Sequence, residues 1–129
     1  MGGDHAPEAI IKGAERFLRE YDSTVSFRLY GDRTKIEPAF SETDHLKNCA
    51  EIIHTDHFIK NTDKPSAVLR RGDKSSMGMA IQSVADNEAD CVVSGGNTGA
   101  LMVLARKILK MMPGIDRPAI TGPFPARGG

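Results

Sequence analysis

The chain has 129 residues, the size of one ordinary domain, of which 40% are apolar and 26% charged. This composition is typical of a folded globular protein and excludes a disordered chain. Because 17 basic residues balance 17 acidic ones, the charge provides no general attraction to nucleic acid or to an acidic membrane. The apolar runs are too short to span a bilayer, and the amino terminus has neither the basic start nor the apolar core of a secretory signal. We therefore expect a cytoplasmic protein in which Cys49 and Cys91 are reduced, buried thiols.

The first half of the chain alternates helices with strands. Pro7 and Glu8 suit the first turn of a helix, and apolar residues then recur at helical spacing. The predicted elements are, in order, a helix from Pro7 to about Tyr21, a strand at 25–30, a short helix at 34–40 interrupted near Pro38, and a second strand at 50–54.

The second half continues the alternation. Its predicted elements are a helix opened by Pro65, a helix capped by Ser75 or Ser76 that runs to about Asn87, a buried strand at 91–93, a glycine-rich turn at 94–99, an apolar helix at 100–112 and the start of a strand at 117–120. This order predicts an α/β fold with parallel strands. Since no strand leads into the first helix and the chain stops after a predicted strand, we interpret residues 1–129 as one partial α/β domain of a longer protein.

The clearest candidate site is the turn Ser94-Gly95-Gly96-Asn97-Thr98-Gly99, which lies between a predicted strand and a predicted helix. Backbone N–H groups and the helix dipole both favour an anion at such a helix start. Asn97 and Thr98 add side-chain donors, and the glycines allow a ligand to approach the backbone closely. The spacing fits neither a dinucleotide fingerprint nor a Walker A loop, so it does not support a nucleotide site. The alternative is a tight connection that uses Asn and Gly only for turn chemistry.

A second candidate is the segment Gly2-Gly3-Asp4-His5-Ala6-Pro7. Glycines, an acid and a base at a helix start suggest a further wall of a site. Asp4 is equally well explained as a helix N-cap, and a single loop histidine such as His5 is more often inert than a general base.

Two further clusters are weaker. Arg70 to Met77 combines cations such as Arg71 with the hydroxyls of Ser75 and Ser76, which suits a phosphoryl or phosphopantetheine group, although a solvated basic turn explains it at least as well. The run His54-Thr55-Asp56-His57 resembles metal ligands superficially, but without paired cysteine spacings we do not expect a metal site. No spacing indicates a catalytic nucleophile.

Four segments together resemble one family, the bacterial phosphate acyltransferases known as PlsX. They are Met1-Gly2-Gly3-Asp4-His5-Ala6-Pro7, Ser75-Ser76-Met77, Ser94 to Met102, and Gly114-Ile115-Asp116-Arg117-Pro118-Ala119. The resemblance covers the whole chain and corresponds to the amino-terminal part of the family.

The resemblance implies an enzyme that transfers a fatty acyl group from acyl carrier protein to inorganic phosphate, giving acyl-phosphate for phospholipid synthesis. It also implies a Rossmann-like, three-layer fold with a mainly parallel sheet, akin to isocitrate dehydrogenase and phosphotransacetylase. The family forms homodimers and needs no metal or other cofactor. Peripheral contact with the inner face of the membrane and with glycerol-3-phosphate acyltransferase is expected through regions outside this chain.

On this interpretation phosphate attacks the thioester carbonyl. We predict catalytic roles for Asn97, Thr98 and Asp4. The residues predicted to bind substrate phosphate are Ser94, Gly96, Gly99, Arg71, Ser75 and Ser76. Two other functions stay open: a short-chain phosphotransacylase that uses acyl-coenzyme A, and a non-catalytic scaffold of lipid synthesis.

Overall fold

A computed structural model describes residues 2–21 and 24–122 of the chain. The elements are, in order, α1 (Glu8–Glu20), β1 (Phe27–Gly31), α2 (Arg33–Ser41), α3 (Leu46–Cys49), β2 (Ala50–His54), α4 (Pro65–Arg71), a 3-10 turn (Gly72–Lys74), α5 (Ser76–Ala85) and α6 (Thr98–Ile108). No helix within these residues is long and apolar enough to cross a membrane.

The strands β1 and β2 form a parallel two-stranded sheet whose register pairs Phe27 with Ala50 and Gly31 with His54. A parallel pair needs a crossover connection, which α2 and α3 supply. The predicted mixture of helices with parallel strands is therefore confirmed. Both predicted strands of the first half lie where the sequence places them, within two residues at each end.

The predicted strand at 91–93 is wrong, because no strand forms there in the described part of the chain. An apolar run becomes a strand only when a neighbouring strand accepts and donates its backbone hydrogen bonds. Here Val92 packs beside the core, whereas Val93 is 82% exposed. Residues 117–120 likewise form no strand, and Ile120 is 70% exposed. Cys91 is exposed rather than buried, and Cys49 is half-buried; both are free thiols.

Three helices differ in their bounds or existence from the predictions. The helix α2 continues through Pro38, where an interruption was predicted; Pro38 lies on the exposed side of the helix. Asp32 caps the helix start by accepting from the Thr34 N–H. The last helix ends at Ile108, four residues before the predicted end at Met112. The short α3 was not predicted, since four residues are too few to show a helical period.

Two clusters of buried side chains form the core. The first lies around α1, β1, α2 and α3 and consists of Ile11, Leu18, Leu29, Ile36 and Leu46. The second joins α4, α5 and α6 and consists of Ile59, Val68, Met77, Ile81, Ala100 and Leu104. The second cluster fixes the starts of α5 and α6, where most of the predicted site residues lie.

Glu15 of α1 holds the start of α3 from outside that helix. Its carboxylate accepts hydrogen bonds from the N–H groups of Asp44, His45 and Leu46, the last at 2.8 Å, and from the His45 ring at 2.8 Å. Partial burial opposes ionisation, but these hydrogen bonds outweigh it and lower the pKa of Glu15 to about 2.

The lowered pKa predicts a pH-dependent contribution to stability. Because the folded pKa lies below that of the unfolded chain, the contribution is complete above about pH 4.5 and disappears as the pH falls through about 2. Glu15→Gln should lower the free energy of unfolding at pH 7 by roughly 0.5–2 kcal/mol, the range for a lost helix cap. Urea denaturation at pH 7 and pH 3 measures the difference, which should be smaller at pH 3. The matched control Glu20→Gln removes a surface ion pair with Arg16 and should change little. Equal effects of the two variants would contradict this role.

A substitution at Gly78 tests the packing between α5 and the 3-10 turn. A Cβ at this buried position would lie 2.1 Å from the Gly72 carbonyl oxygen and 2.7 Å from that of Asp73. Gly78→Ala should therefore destabilise the protein by about 1–3 kcal/mol, because backbone must move to admit the methyl group. Gly13→Ala is the matched control: nothing lies within 4 Å of a Cβ there, so the better helix former should raise stability by up to about 1 kcal/mol. Thermal unfolding compares the two variants, and an unchanged melting temperature of Gly78→Ala would refute the close approach of the backbone.

Candidate functional site

The glycine-rich turn leads directly into α6. Ser94 Oγ accepts a hydrogen bond from the Gly96 N–H at 3.2 Å. Asn97 is the N-cap of the helix, and its Oδ1 accepts from the Ala100 N–H at 3.0 Å. The N–H groups of Thr98 and Gly99, the first two of α6, have no acceptor among the described residues. They are the unpaired donors that a helix start offers to an anion.

The side-chain nitrogen of Asn97 holds a neighbouring loop. Asn97 Nδ2 lies 3.4 Å from the carbonyl oxygen of Lys60, 3.1 Å from that of Asn61 and 3.2 Å from that of Asp63. An amide group has two hydrogens, so three acceptors occupy them fully. Both ends of the Asn97 side chain are thus engaged within the protein, the oxygen at the start of α6 and the nitrogen at the 60–63 loop.

The amino-terminal segment packs against the same turn. Gly3 has φ +100°, and a Cβ there would lie 2.6 Å from the Gly95 carbonyl oxygen, so only glycine fits this approach. The next residue, Asp4, does not cap α1; the N-cap is Pro7, which makes no side-chain cap. Asp4 Oδ1 instead accepts from Asn61 Nδ2 at 3.0 Å. The N-cap interpretation of Asp4 is therefore wrong, and His5 is an exposed loop residue.

The start of α5 forms a third side of the candidate site. Ser75 and Ser76, both predicted to bind phosphate, are buried there. Ser75 is the N-cap of α5: the hydroxyl donates to the Gly72 carbonyl at 2.5 Å and accepts from the Gly78 N–H at 3.1 Å. The Ser76 N–H donates to the His57 carbonyl at 2.8 Å. Met77 brings this helix start beside the turn, since its methyl carbon lies 3.4 Å from where a Gly96 Cβ would be. The predicted cap at Ser75 is confirmed, and its hydroxyl is engaged within the protein.

Arg71 lies at the end of α4, beside the start of α5. The helices α4 and α6 pack with Pro65 beside Gly99, and with Gly72 beside Leu104 further along. Five residues of helix separate those two contacts, which amounts to about 8 Å. Arg71 is exposed near the far contact. The carbonyl of the adjacent Gly72 accepts from the Ser75 hydroxyl, so the Arg71 backbone lies close to the predicted site residue Ser75 and further from the start of α6.

The histidine run forms a different cluster from the one that the sequence suggests. Asp32, His54 and Asp56 place one ligand atom each within 4.8 Å of one another, without His57. However, His54 Nδ1 accepts from the Arg33 N–H at 3.2 Å, which places the proton of the neutral ring on Nε2, 3.3 Å from an Asp56 carboxylate oxygen. Metal-bound histidines usually donate from their second nitrogen, so this geometry favours a hydrogen-bonded cluster.

Two shallow clefts on the described surface contain none of the predicted site residues. One, of about 240 Å³, lies between α1 and α2; the other, of about 340 Å³, is lined by Leu69, Val103, Arg106, Lys107 and Lys110. The candidate site is instead a junction of three loops and two helix starts.

Asn61 joins the candidate site, and no pattern in the sequence predicts it. It lies in a polar loop, and its partner Asp4 is 57 positions earlier in the chain. No spacing rule connects two such residues, so only the fold could find the pair.

The whole chain, residues 1–129, matches the family described as fatty acid synthesis protein. The chain is 49% identical to the phosphate acyltransferase of Bradyrhizobium diazoefficiens over 130 residues, which cover all of this chain and 36% of the relative. The phosphate acyltransferase of Beijerinckia indica is also 49% identical, with all of this chain and 33% of the relative covered. The phosphate acyltransferase of Parvibaculum lavamentivorans is 50% identical over 131 residues, which cover 99% of this chain and 36% of the relative.

The chain therefore belongs to the fatty acid synthesis protein family, and the predicted resemblance to the phosphate acyltransferases known as PlsX is confirmed. It spans about a third of the length of the curated relatives that it matches.

The double role of Asn97 predicts how its variants behave. Asn97→Asp keeps an oxygen to cap α6 but loses the donor to three carbonyls and places negative charge beside them. We expect faster amide hydrogen exchange in the loop at residues 60–63, while α6 stays protected. Asn97→Ala should lose protection in the loop and in the first turn of α6. Ser94→Ala, which removes one local hydrogen bond, is the control. Unchanged exchange in the loop of Asn97→Asp would refute the role.

Proposed function

We propose that the protein containing this chain is a phosphate acyltransferase, which moves a fatty acyl group from acyl carrier protein to inorganic phosphate. One observation carries the proposal. The N–H groups of Thr98 and Gly99, at the start of α6 where three loops meet, have no acceptor among the described residues. Family membership supplies the reaction class. Within the proposal, residues 1–129 are one part of a larger Rossmann-like, three-layer domain.

The turn would bind phosphate through backbone groups. N–H donors at a helix start attract an anion through hydrogen bonds and through the dipole of α6. Glycines at 95, 96 and 99 leave the approach to the backbone open.

The reaction requires a phosphate oxygen to attack the thioester carbonyl carbon. The carbonyl oxygen becomes negatively charged, and the tetrahedral intermediate then expels the thiolate of the carrier's arm. Holding phosphate next to the carbonyl reduces the barrier by positioning, and N–H groups aimed at the developing charge stabilise it. We assign the amides of Thr98 and Gly99 to the phosphate or the oxyanion, and the Asp4 carboxylate to a hydroxyl of hydrogen phosphate.

The other predicted site residues receive supporting roles. Asn97 positions the turn and the adjoining loop, because both ends of its side chain are engaged. Ser94 and Gly96 shape the turn, and Ser75 and Ser76 fix the start of α5 beside it. Arg71 is assigned to the surface rather than to phosphate.

Further proposals follow from the family alone. The whole protein would be a homodimer, and regions outside this chain would contact the inner face of the membrane and glycerol-3-phosphate acyltransferase.

The role of the backbone amides can be tested by substituting proline for Thr98. Proline removes the N–H but is well accommodated at the first position of a helix, and the extended Asn97 (φ −64°, ψ 110°) is compatible with a following proline. In the natural full-length polypeptide, Thr98→Pro should raise KM for phosphate by roughly 10-fold or more, the factor for a lost hydrogen bond to a charged group. Thr98→Ala keeps the N–H and is the matched control. Acyl-phosphate formation is measured by trapping with hydroxylamine at varied phosphate.

Each outcome decides between functions. An unchanged KM for phosphate in Thr98→Pro would remove the turn from the site. Faster turnover of acyl-coenzyme A than of the acyl thioester on acyl carrier protein would favour a short-chain phosphotransacylase. Absence of both acyl-phosphate formation and calorimetric phosphate binding in the wild type would favour a scaffold.

A further inference from the structure

We propose that Asn61 is a positioning residue that orients the Asp4 carboxylate so that the site selects hydrogen phosphate over anions without a hydroxyl group. The inference rests on the function proposed above. Its basis is the hydrogen bond from Asn61 Nδ2 to Asp4 Oδ1 at 3.0 Å, which joins the 60–63 loop to the amino-terminal segment.

The loop that carries Asn61 is closed on itself. The Lys60 N–H donates to Asp63 Oδ2 at 2.8 Å, and the Asp63 N–H donates to the Lys60 carbonyl at 3.1 Å. Asn97 Nδ2 then ties the loop to the start of α6 through three carbonyls, that of Asn61 among them. The backbone of Asn61 is therefore fixed relative to the turn that would hold phosphate.

Asp4 is placed beside the same turn from the other side. The preceding Gly3 is in close contact with the Gly95 carbonyl, which fixes where the Asp4 backbone begins. One carboxylate oxygen accepts from Asn61, while Oδ2 has no hydrogen-bond partner among the described residues. Asn61 thus holds one oxygen of the exposed carboxylate and leaves the other available to a ligand.

A carboxylate next to an anion site discriminates between anions. An ionised carboxylate only accepts hydrogen bonds, so it repels an anion that has no proton to donate. Hydrogen phosphate carries a P–OH group that can donate to Asp4 Oδ2, whereas sulfate at neutral pH carries none. The same carboxylate would therefore support phosphate and exclude sulfate, which is specificity through a repulsive element. Asn61 contributes by fixing the direction of the carboxylate.

A double-mutant cycle in the natural full-length polypeptide separates this role from a merely structural one. Asn61→Ala should raise KM for phosphate by roughly three- to tenfold, the range for one hydrogen bond, while KM for the acyl donor stays unchanged. In an Asp4→Ala background the same substitution should have no further effect. Thr62→Ala, an exposed neighbour in the same loop, is the control and should behave as the wild type. Equal effects of Asn61→Ala in both backgrounds would overturn the inference.

Sulfate inhibition provides a second measurement that does not depend on how well Asn61→Ala folds. Sulfate should inhibit the wild type weakly and Asp4→Asn at least several-fold more strongly, because the amide can donate to sulfate. Equal sulfate inhibition of the two would overturn the inference. If the wild type forms no acyl-phosphate, the proposed function fails; if it does and the cycle is additive, only the role of Asn61 fails.

Discussion

The side-chain amide of Asn97 joins the parts of the candidate site. Its oxygen completes the start of α6, and its nitrogen holds the carbonyls of the 60–63 loop. That loop carries Asn61, which in turn holds Asp4. A single planar group thus fixes the distance between a helix start and a loop, and through Asn61 it reaches the amino-terminal segment. Few other side chains could replace it, because the same group must accept on one side and donate on the other.

Local signals in the sequence predicted local structure well. Pro65 opens a helix and Ser75 caps one, because each acts on backbone within three or four residues. The strand at 91–93 failed for the opposite reason: pairing depends on a neighbouring strand, and apolar composition alone does not supply one. Arg71 is near Ser75 in the sequence and stays near it in the fold, because the Ser75 hydroxyl donates to the carbonyl of the adjacent Gly72. The sequence could not predict the Asn61–Asp4 hydrogen bond, since it forms only after the fold has brought together two residues 57 positions apart.

The proposed phosphate site would not depend on the net charge of the chain. Its 17 basic residues are balanced by 17 acidic ones, and many lie in surface pairs such as Lys12 with Glu8. Attraction at the turn would come from oriented N–H dipoles, which act over a short range and do not draw anions to the surface at large. Such a site depends on the shape of the backbone, so its selectivity is set by the side chains that hold the loops.

The unequal surroundings of the two thiols have a practical consequence for spectroscopy. Cys49 is half-buried, with its sulfur 3.5 Å from the His45 carbonyl oxygen, whereas Cys91 is exposed three residues before Ser94. A maleimide dye or nitroxide label would therefore attach to Cys91 in preference to Cys49 without any engineering of this segment. A probe at that position would sit next to the glycine-rich turn and could report directly, by fluorescence or by spin-label mobility, whether an anion has entered it.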